Sequence, residues 1–217
     1  RGPMTFPGMN EPRADYFASH PEYYCWMNGK RIHDQLCLSN PEVLRLTIEH
    51  LRQAMAEQPE KRYWSVSQND NFSYCQCPDC QKIIEEEGSP AGPVIRFVNT
   101  VAEEFPGKII STLAYQFSRQ APKVTKPMPN VQIMLCTIEL NRSKPMAEDS
   151  TSRSFVKDIA DWGKIASNIY LWDYTVNFSH STTPFPNQHV LQPNLQFLTN
   201  NGAHQPFQKS NTGTGHE

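Results

Sequence analysis

The sequence predicts an α/β fold of about five parallel strands with flanking helices: either a small open domain or a partial TIM-like (β/α)8 barrel, its C-terminal portion. Three observations lead there. Short β-branched or aromatic runs alternate with helical periodicities, the pattern of parallel βα units. The 18 Pro against 10 Gly fall mostly at segment boundaries and punctuate rather than form a linker. The chain has 217 residues, whereas a closed barrel takes about 250; its start at Arg1 and its stop at Glu217, just after a possible strand, favour a fragment.

Residues 1–37 carry Phe6, Tyr16, Phe17, Tyr23, Tyr24 and Trp26 without a clear period, and read as an irregular, aromatic-rich lobe with a turn at Asn28-Gly29. Asn40 as N-cap and Pro41 at the first helical position open a helix whose stripe is Leu44, Ile48, Leu51 and Met55, closed by Pro59. Tyr63–Gln68 reads as a strand. From Pro93, the residues Val94, Phe97, Val98, Val101, Ala102 and Phe105 match the amphipathic template, and Pro106-Gly107 stops it. Strands follow at 108–115 and 131–139, joined over 120–130 by a stretch with no helical pattern, so a loop must make that crossover. Phe155, Val156, Ile159 and Trp162 mark a helix, 168–174 a strand, 190–200 a weaker helix interrupted by Pro193, and 203–208 the start of a further strand.

With 38% hydrophobic residues, 19% charged and a net charge of −2, the chain is not of the disordered type. The near-neutral balance argues against nucleic acid or an anionic membrane as partner. No apolar run reaches the roughly 18 residues of a membrane span, so no integral membrane segment is expected.

Polar and aromatic groups gather at the expected carboxyl ends of the strands, where parallel α/β folds place their sites. They are Gln68, Asn69, Asp70 and Asn71; Tyr115 and Gln116; Glu139 and Arg142; Trp172, Asp173, Tyr174 and Asn177. Paired carboxylates suit glycoside hydrolysis, in which one protonates the leaving oxygen and another acts as nucleophile, base or polariser. Flat aromatics and amides suit a sugar's C–H face and its hydroxyls. The competing reading makes Asp70 and Asp173 caps of the segments that follow, with Glu139 paired to Arg142.

The densest chemical signal is Cys75-Gln-Cys77-Pro-Asp-Cys80, with Cys25, Cys37 and Cys136 making six. Three thiols at this spacing could hold a structural zinc with Cys37 or a His as fourth ligand; disulfides or reduced thiols are the alternatives. No other cofactor is expected. Asn71-Phe-Ser73, Asn141-Arg-Ser143 and Asn177-Phe-Ser179 match the glycosylation acceptor pattern, as Asn- and Ser-containing chains do by chance.

The runs Tyr16–Tyr24, Asn28–Arg31 and Gln35–Pro41, then Ser67–Asn71 with Tyr74–Cys80, Leu113–Tyr115, Leu135-Cys136 with Glu139 and Arg142, and Trp172–Tyr174 with Asn177-Phe178 and Pro184–Asn187, together resemble the bacterial domain-of-unknown-function family 4838. That family is associated with glycoside hydrolase family 163 and is found mainly in exported proteins of gut Bacteroidetes. The resemblance implies a TIM-like catalytic barrel lacking its first strands here, an export route supplied by a signal outside this chain, and endo-β-N-acetylglucosaminidase action on N-glycans. The expected organisation is the segment 1–37 followed by a partial barrel catalytic domain over 38–217. Glu139 is the expected general acid and Asp70 or Asp173 the polariser. Gln68, Asn69, Asn71, Tyr115, Arg142, Trp172, Tyr174 and Asn177 would bind substrate. Two rivals stand beside this reading: a non-catalytic carbohydrate-binding barrel, and an interaction module stapled or metal-stabilised at the cysteines.

Overall fold

The computed structural model describes residues 13–174 and 187–209, and side chains over 16–174 and 187–203. Asn177, and with it Phe178, Ser179, Pro184 and Pro186, lies outside the described residues, as does Phe6. The chain divides into two compact units, one ending at Ile133 and the other beginning at Met134.

The first unit opens with helix α1 (Arg13–Ser19) and an antiparallel hairpin, β1 (Tyr24–Met27) and β2 (Lys30–Leu36). Asn28 and Gly29 make the turn with φ of 52° and 78°, the left-handed pair that a tight hairpin needs. Within the segment expected to be loop-rich, the described residues 13–36 thus hold a helix and a hairpin. Its strands hid because Lys30-Arg-Ile-His-Asp-Gln-Leu36 is polar and its burial does not alternate, and because a bulge shifts the register between Tyr24 and Trp26.

Helix α2 (Pro41–Glu57) is capped as its sequence predicts: Asn40 Oδ1 accepts from the Glu42 and Val43 amides at 2.9 and 3.4 Å. Its buried stripe is Val43, Thr47, Leu51 and Met55, one residue round from the expected Leu44/Ile48 line. Thr47 is tolerated there because its hydroxyl donates to the Val43 carbonyl at 2.8 Å. Strand β3 (Tyr63–Ser65) is shorter than expected. Helix α3 (Pro78–Glu87) has no counterpart in the expected order, since its first turn is built on cysteines and it ends in three glutamates. Gly88 closes it with φ 64°.

Helix α4 (Ala91–Glu103) begins two residues before Pro93 and buries Val94, Ile95, Phe97, Val98, Val101 and Ala102; it packs on β4 (Ile109–Ala114), α2 and α3. β3 and β4 pair in parallel with Ser65 opposite Ser111. β4 neighbours the start of β5 (Val131–Cys136), through Ser111 Oγ donating to Gln132 Oε1 at 2.9 Å. The 120–130 crossover is a loop, as expected.

A buried carboxylate pins that loop. Glu87, with no exposed surface, accepts from Arg96 Nε at 2.8 Å and from the amides of Val124 and Thr125 at 3.0 and 2.9 Å. Thr125 Oγ1 donates to it as well. Gly92 lets α4 approach: a Cβ there would stand 2.4 and 2.6 Å from Glu87 Cγ and Cβ. Gly92→Ala is accordingly expected to cost about 1–3 kcal/mol by overpacking, read as a lower denaturation midpoint with an unchanged m-value.

In the second unit the end of β5, then β6 (Ile169–Tyr174), then β7 (Ala203–Lys209) are neighbouring strands. β6 and β7 run parallel. Helix α5 (Arg153–Ile165) buries Phe155, Ile159 and Trp162, and helix α6 (Gln188–Asn200) contains Pro193 and packs on β7. β5 stops at Cys136, so Glu139 sits in the turn beyond the strand, not on it. The whole is a mixed α/β fold with parallel strands.

Candidate functional site

Beyond the carboxyl ends of β3 and β4, the first unit brings Asp70 and Tyr115 together: the Tyr115 hydroxyl donates to Asp70 Oδ1 at 3.0 Å. Asp70 is exposed. Gln68 ties the two strand ends to each other; its Nε2 donates to the Tyr115 carbonyl at 3.0 Å and its Oε1 accepts from Ser118 Oγ. Next to Tyr115, Gln116 has φ 50°, and its Oε1 is buried with no hydrogen-bond partner. A non-glycine residue held in the left-handed region costs on the order of 1–3 kcal/mol and marks functional positions more often than ordinary ones; a buried unpaired carbonyl adds to that cost. The sequence put Gln116 at a strand end, but backbone strain leaves no mark in residue order, so nothing there singled it out.

Asn69 and Asn71 are committed to the protein. Asn69 Nδ2 donates to the Asp34 carbonyl at 2.6 Å, and Asn71 Nδ2 does the same at 3.2 Å. Asn71 Oδ1 accepts from Gln35 Nε2 at 2.9 Å and from the Ser73 amide at 3.0 Å. Gln35 also exchanges two 3.0 Å bonds with the backbone of Asn69. This mesh fastens the Asp70 loop to β2. A cleft of about 860 Å³, open solvent included, lies against the same loop, with Tyr24, His33, Asn69, Tyr74, Phe97 and Phe117 in its wall. Asp70 and Tyr115 are not part of that wall, so cleft and carboxylate are separate features of one loop.

In the second unit, Asp173 is 9% exposed and accepts from Thr137 Oγ1 at 2.7 Å and from the Tyr174 amide at 3.0 Å. Arg142 donates from Nε to the Tyr174 carbonyl at 2.8 Å and from an amino group to the Ile138 carbonyl at 2.9 Å. Its guanidinium stands 5.8 Å from the Tyr174 ring centre. Burial lowers the Arg142 pKa, against the pull of the nearby Asp173. Arg142 thus clamps the ends of β5 and β6. Glu139, three residues upstream, is exposed. Burial alternates along β6, so Ile169, Leu171 and Asp173 share one face and Tyr170, Trp172 and Tyr174 the other; Asp173 does not share a face with the two expected sugar-stacking aromatics.

The cysteines form the third feature. Cys25, Cys37, Cys75, Cys77 and Cys80 are one buried cluster packed against Ile32. The sulfurs of Cys37, Cys75, Cys77 and Cys80 all lie within 4.8 Å of one another. Hydrogen bonds from the Cys75 and Cys80 thiols push Cys37 far below the ordinary thiol range. The same sharing, with Cys37 as the main partner, raises Cys75 to about 12 and Cys80 further still. Burial pushes the Cys25 thiol up to about 11. Burial would lower the pKa of Arg31, but its hydrogen bond to Cys37 and the nearby Cys75 and Cys77 outweigh that and raise it.

Parallel strands alternating with helices define the class: a mixed α/β domain. The chain belongs to the family described as Domain of unknown function (DUF4838), whose model matches residues 5–217. No curated protein matches it. Among solved structures, it is similar to the GH36 alpha-galactosidase AgaA of Geobacillus stearothermophilus in complex with 1-deoxygalactonojirimycin, at 13% identity and a TM-score of 0.47 over 93% of this chain. The same enzyme in complex with raffinose gives 13% and 0.45. The chain spans 27% of the length of that enzyme. Among the described residues no helix is long and apolar enough to cross a membrane.

Proposed function

We propose that this chain is part of a glycoside hydrolase acting on N-acetylhexosamine-containing glycans. The observation that carries the reading is the group at the ends of β3 and β4: an exposed carboxylate held by a tyrosine hydroxyl, beside a strained glutamine with an unpaired buried carbonyl. Such a group is poised to exchange hydrogen bonds with sugar hydroxyls, which offer a donor and an acceptor on one atom. In this reading Asp70, Tyr115 and Gln116 recognise sugar. Gln68, Asn69 and Asn71 position the loop.

Glu139 is the general acid, giving its proton to the leaving glycosidic oxygen as the C–O bond breaks. Asp173, fixed by Thr137 and the Tyr174 amide, orients the acetamido group whose oxygen attacks the anomeric carbon, as substrate-assisted glycosidases do. Trp172 and Tyr174, on the face of β6 opposite Asp173, take no part in this step, and Arg142 holds the strand ends that carry Asp173. The resemblance to glycoside hydrolase family 163 supports endo-β-N-acetylglucosaminidase action in an exported protein of the Bacteroidetes type, in a partial TIM-like barrel.

Gln116→Gly tests the recognition half. Glycine accepts φ 50° without strain, so the full-length variant is expected to keep or gain thermal stability while its affinity for a chitobiose-containing glycan falls about tenfold, the loss of one hydrogen bond left unmade. Unchanged affinity removes Gln116 from the site.

A further inference from the structure

We propose that Cys37, Cys75, Cys77 and Cys80 form a closed, structural zinc site. Four sulfurs from three separate segments converge: Cys37 follows β2, Cys75 ends the Asp70 loop, Cys77 is the N-cap of α3 and Cys80 lies in its first turn. A tetrahedral zinc–thiolate centre has Zn–S bonds of about 2.3 Å, which sets its sulfur–sulfur edges near 3.8 Å. The Cys37 and Cys77 sulfurs are 3.7 Å apart, and all four fall within 4.8 Å of one another. Two disulfides would instead pull each pair to about 2.05 Å, an arrangement that a four-way mutual approach does not favour. All four residues are at most 6% exposed. No side remains open for a water or a substrate, which marks a structural rather than a catalytic centre.

Soft sulfur ligands in tetrahedral array select zinc or iron over the hard cations. The surroundings fit a net-negative thiolate centre. The Trp26 amide donates to the Cys75 sulfur at 3.3 Å, and the Ser39 hydroxyl stands 3.2–3.5 Å from the sulfurs of Cys37, Cys77 and Cys80. The N-terminus of α3, which begins at Pro78 with Cys77 as its N-cap, points its dipole there. Cys25, in the same buried cluster, is outside the quartet; its thiol donates to the Ile32 carbonyl at 3.7 Å. The consequence reaches the rim of the fold: zinc would lock the hairpin, α3 and the loop from Asn69 to Cys75 into one block, with Asp70 carried on it.

The test is metal analysis of the full-length protein as purified, after dialysis against a weak chelator. About one zinc per chain is expected, released by a mercurial with four thiols consumed per zinc. Cobalt(II) exchanged into the protein is expected to give intense visible bands of a tetrahedral thiolate complex. Cys77→Ser should retain less than about a tenth of the zinc, whereas Cys25→Ala should retain it in full. Because Cys77→Ser could fail to fold, the mercurial titration of the unmutated protein decides the matter alone. Absence of stoichiometric zinc, iron in its place, or two disulfides among these four cysteines would overturn the assignment. None of these outcomes bears on sugar hydrolysis, which the turnover of Glu139→Gln tests by itself.

Discussion

Glu139→Gln in the full-length protein is expected to lower turnover of an N-glycan about 10²–10⁴-fold, the usual contribution of a positioned general acid. The amide keeps the shape of the side chain but has no proton to give. The loss should depend on the leaving group: an aryl glycoside with an acidic phenol departs without protonation, so its turnover should fall far less. KM for both substrates should change little, since the proposed role of Glu139 is confined to the breaking bond. Equal losses on both substrates would point to a damaged fold, and near-unchanged turnover on the glycan would remove Glu139 from the acid role.

Glu87→Ala carries the largest expected effect on stability, about 3–5 kcal/mol. It strips the acceptor from the Arg96 guanidinium and from the Val124 and Thr125 amides at once. Arg96 keeps about a third of its side chain in solvent, which places the figure toward the lower end. Glu87→Gln preserves volume and one acceptor and should cost about 1–3 kcal/mol. A pH dependence follows. Burial pushes the Glu87 carboxyl up, yet the hydrogen bonds from Thr125, Arg96 and Val124 outweigh it and hold the carboxyl below its ordinary value of 4.5. The stabilisation is therefore fully present above that ordinary value and disappears as pH falls through the lowered one. Urea denaturation of wild type and Glu87→Gln at neutral pH and at successively more acid pH should show the gap between them closing. A constant gap would mean the carboxylate's charge contributes nothing.

Local chemistry with a period or a fixed offset was readable in the residue order. The α4 stripe from Val94 to Ala102, the Asn40-Pro41 start of α2, the Asn28-Gly29 turn and the helix-free 120–130 crossover all announce themselves in neighbouring residues. Helix α3 did not, because its first turn is decided by where Cys77 and Cys80 point, a tertiary matter. β2 did not, because Arg31, His33 and Asp34 give it no alternation. The three close cysteines showed a ligand-like spacing with Cys37 or a His as candidate fourth member; that it is Cys37, 38 residues before Cys75, is decided only by folding. Gln116 shows the same limit in backbone form: its strain is a product of the packing around β4. Glu87 is one of three successive glutamates in the sequence, and it is the Gly92 contact and the 124–125 amides that make it a buried anchor.

On the proposed reading, sugar is held beyond the carboxyl ends of β3 and β4. A crystal structure of the full-length Glu139→Gln protein soaked with a chitobiose-containing glycan tests it most directly. A sugar hydroxyl is expected within hydrogen-bond distance of the Asp70 carboxylate and another on Gln116 Oε1. A glycan bound elsewhere, with Asp70 and Gln116 untouched, would contradict it.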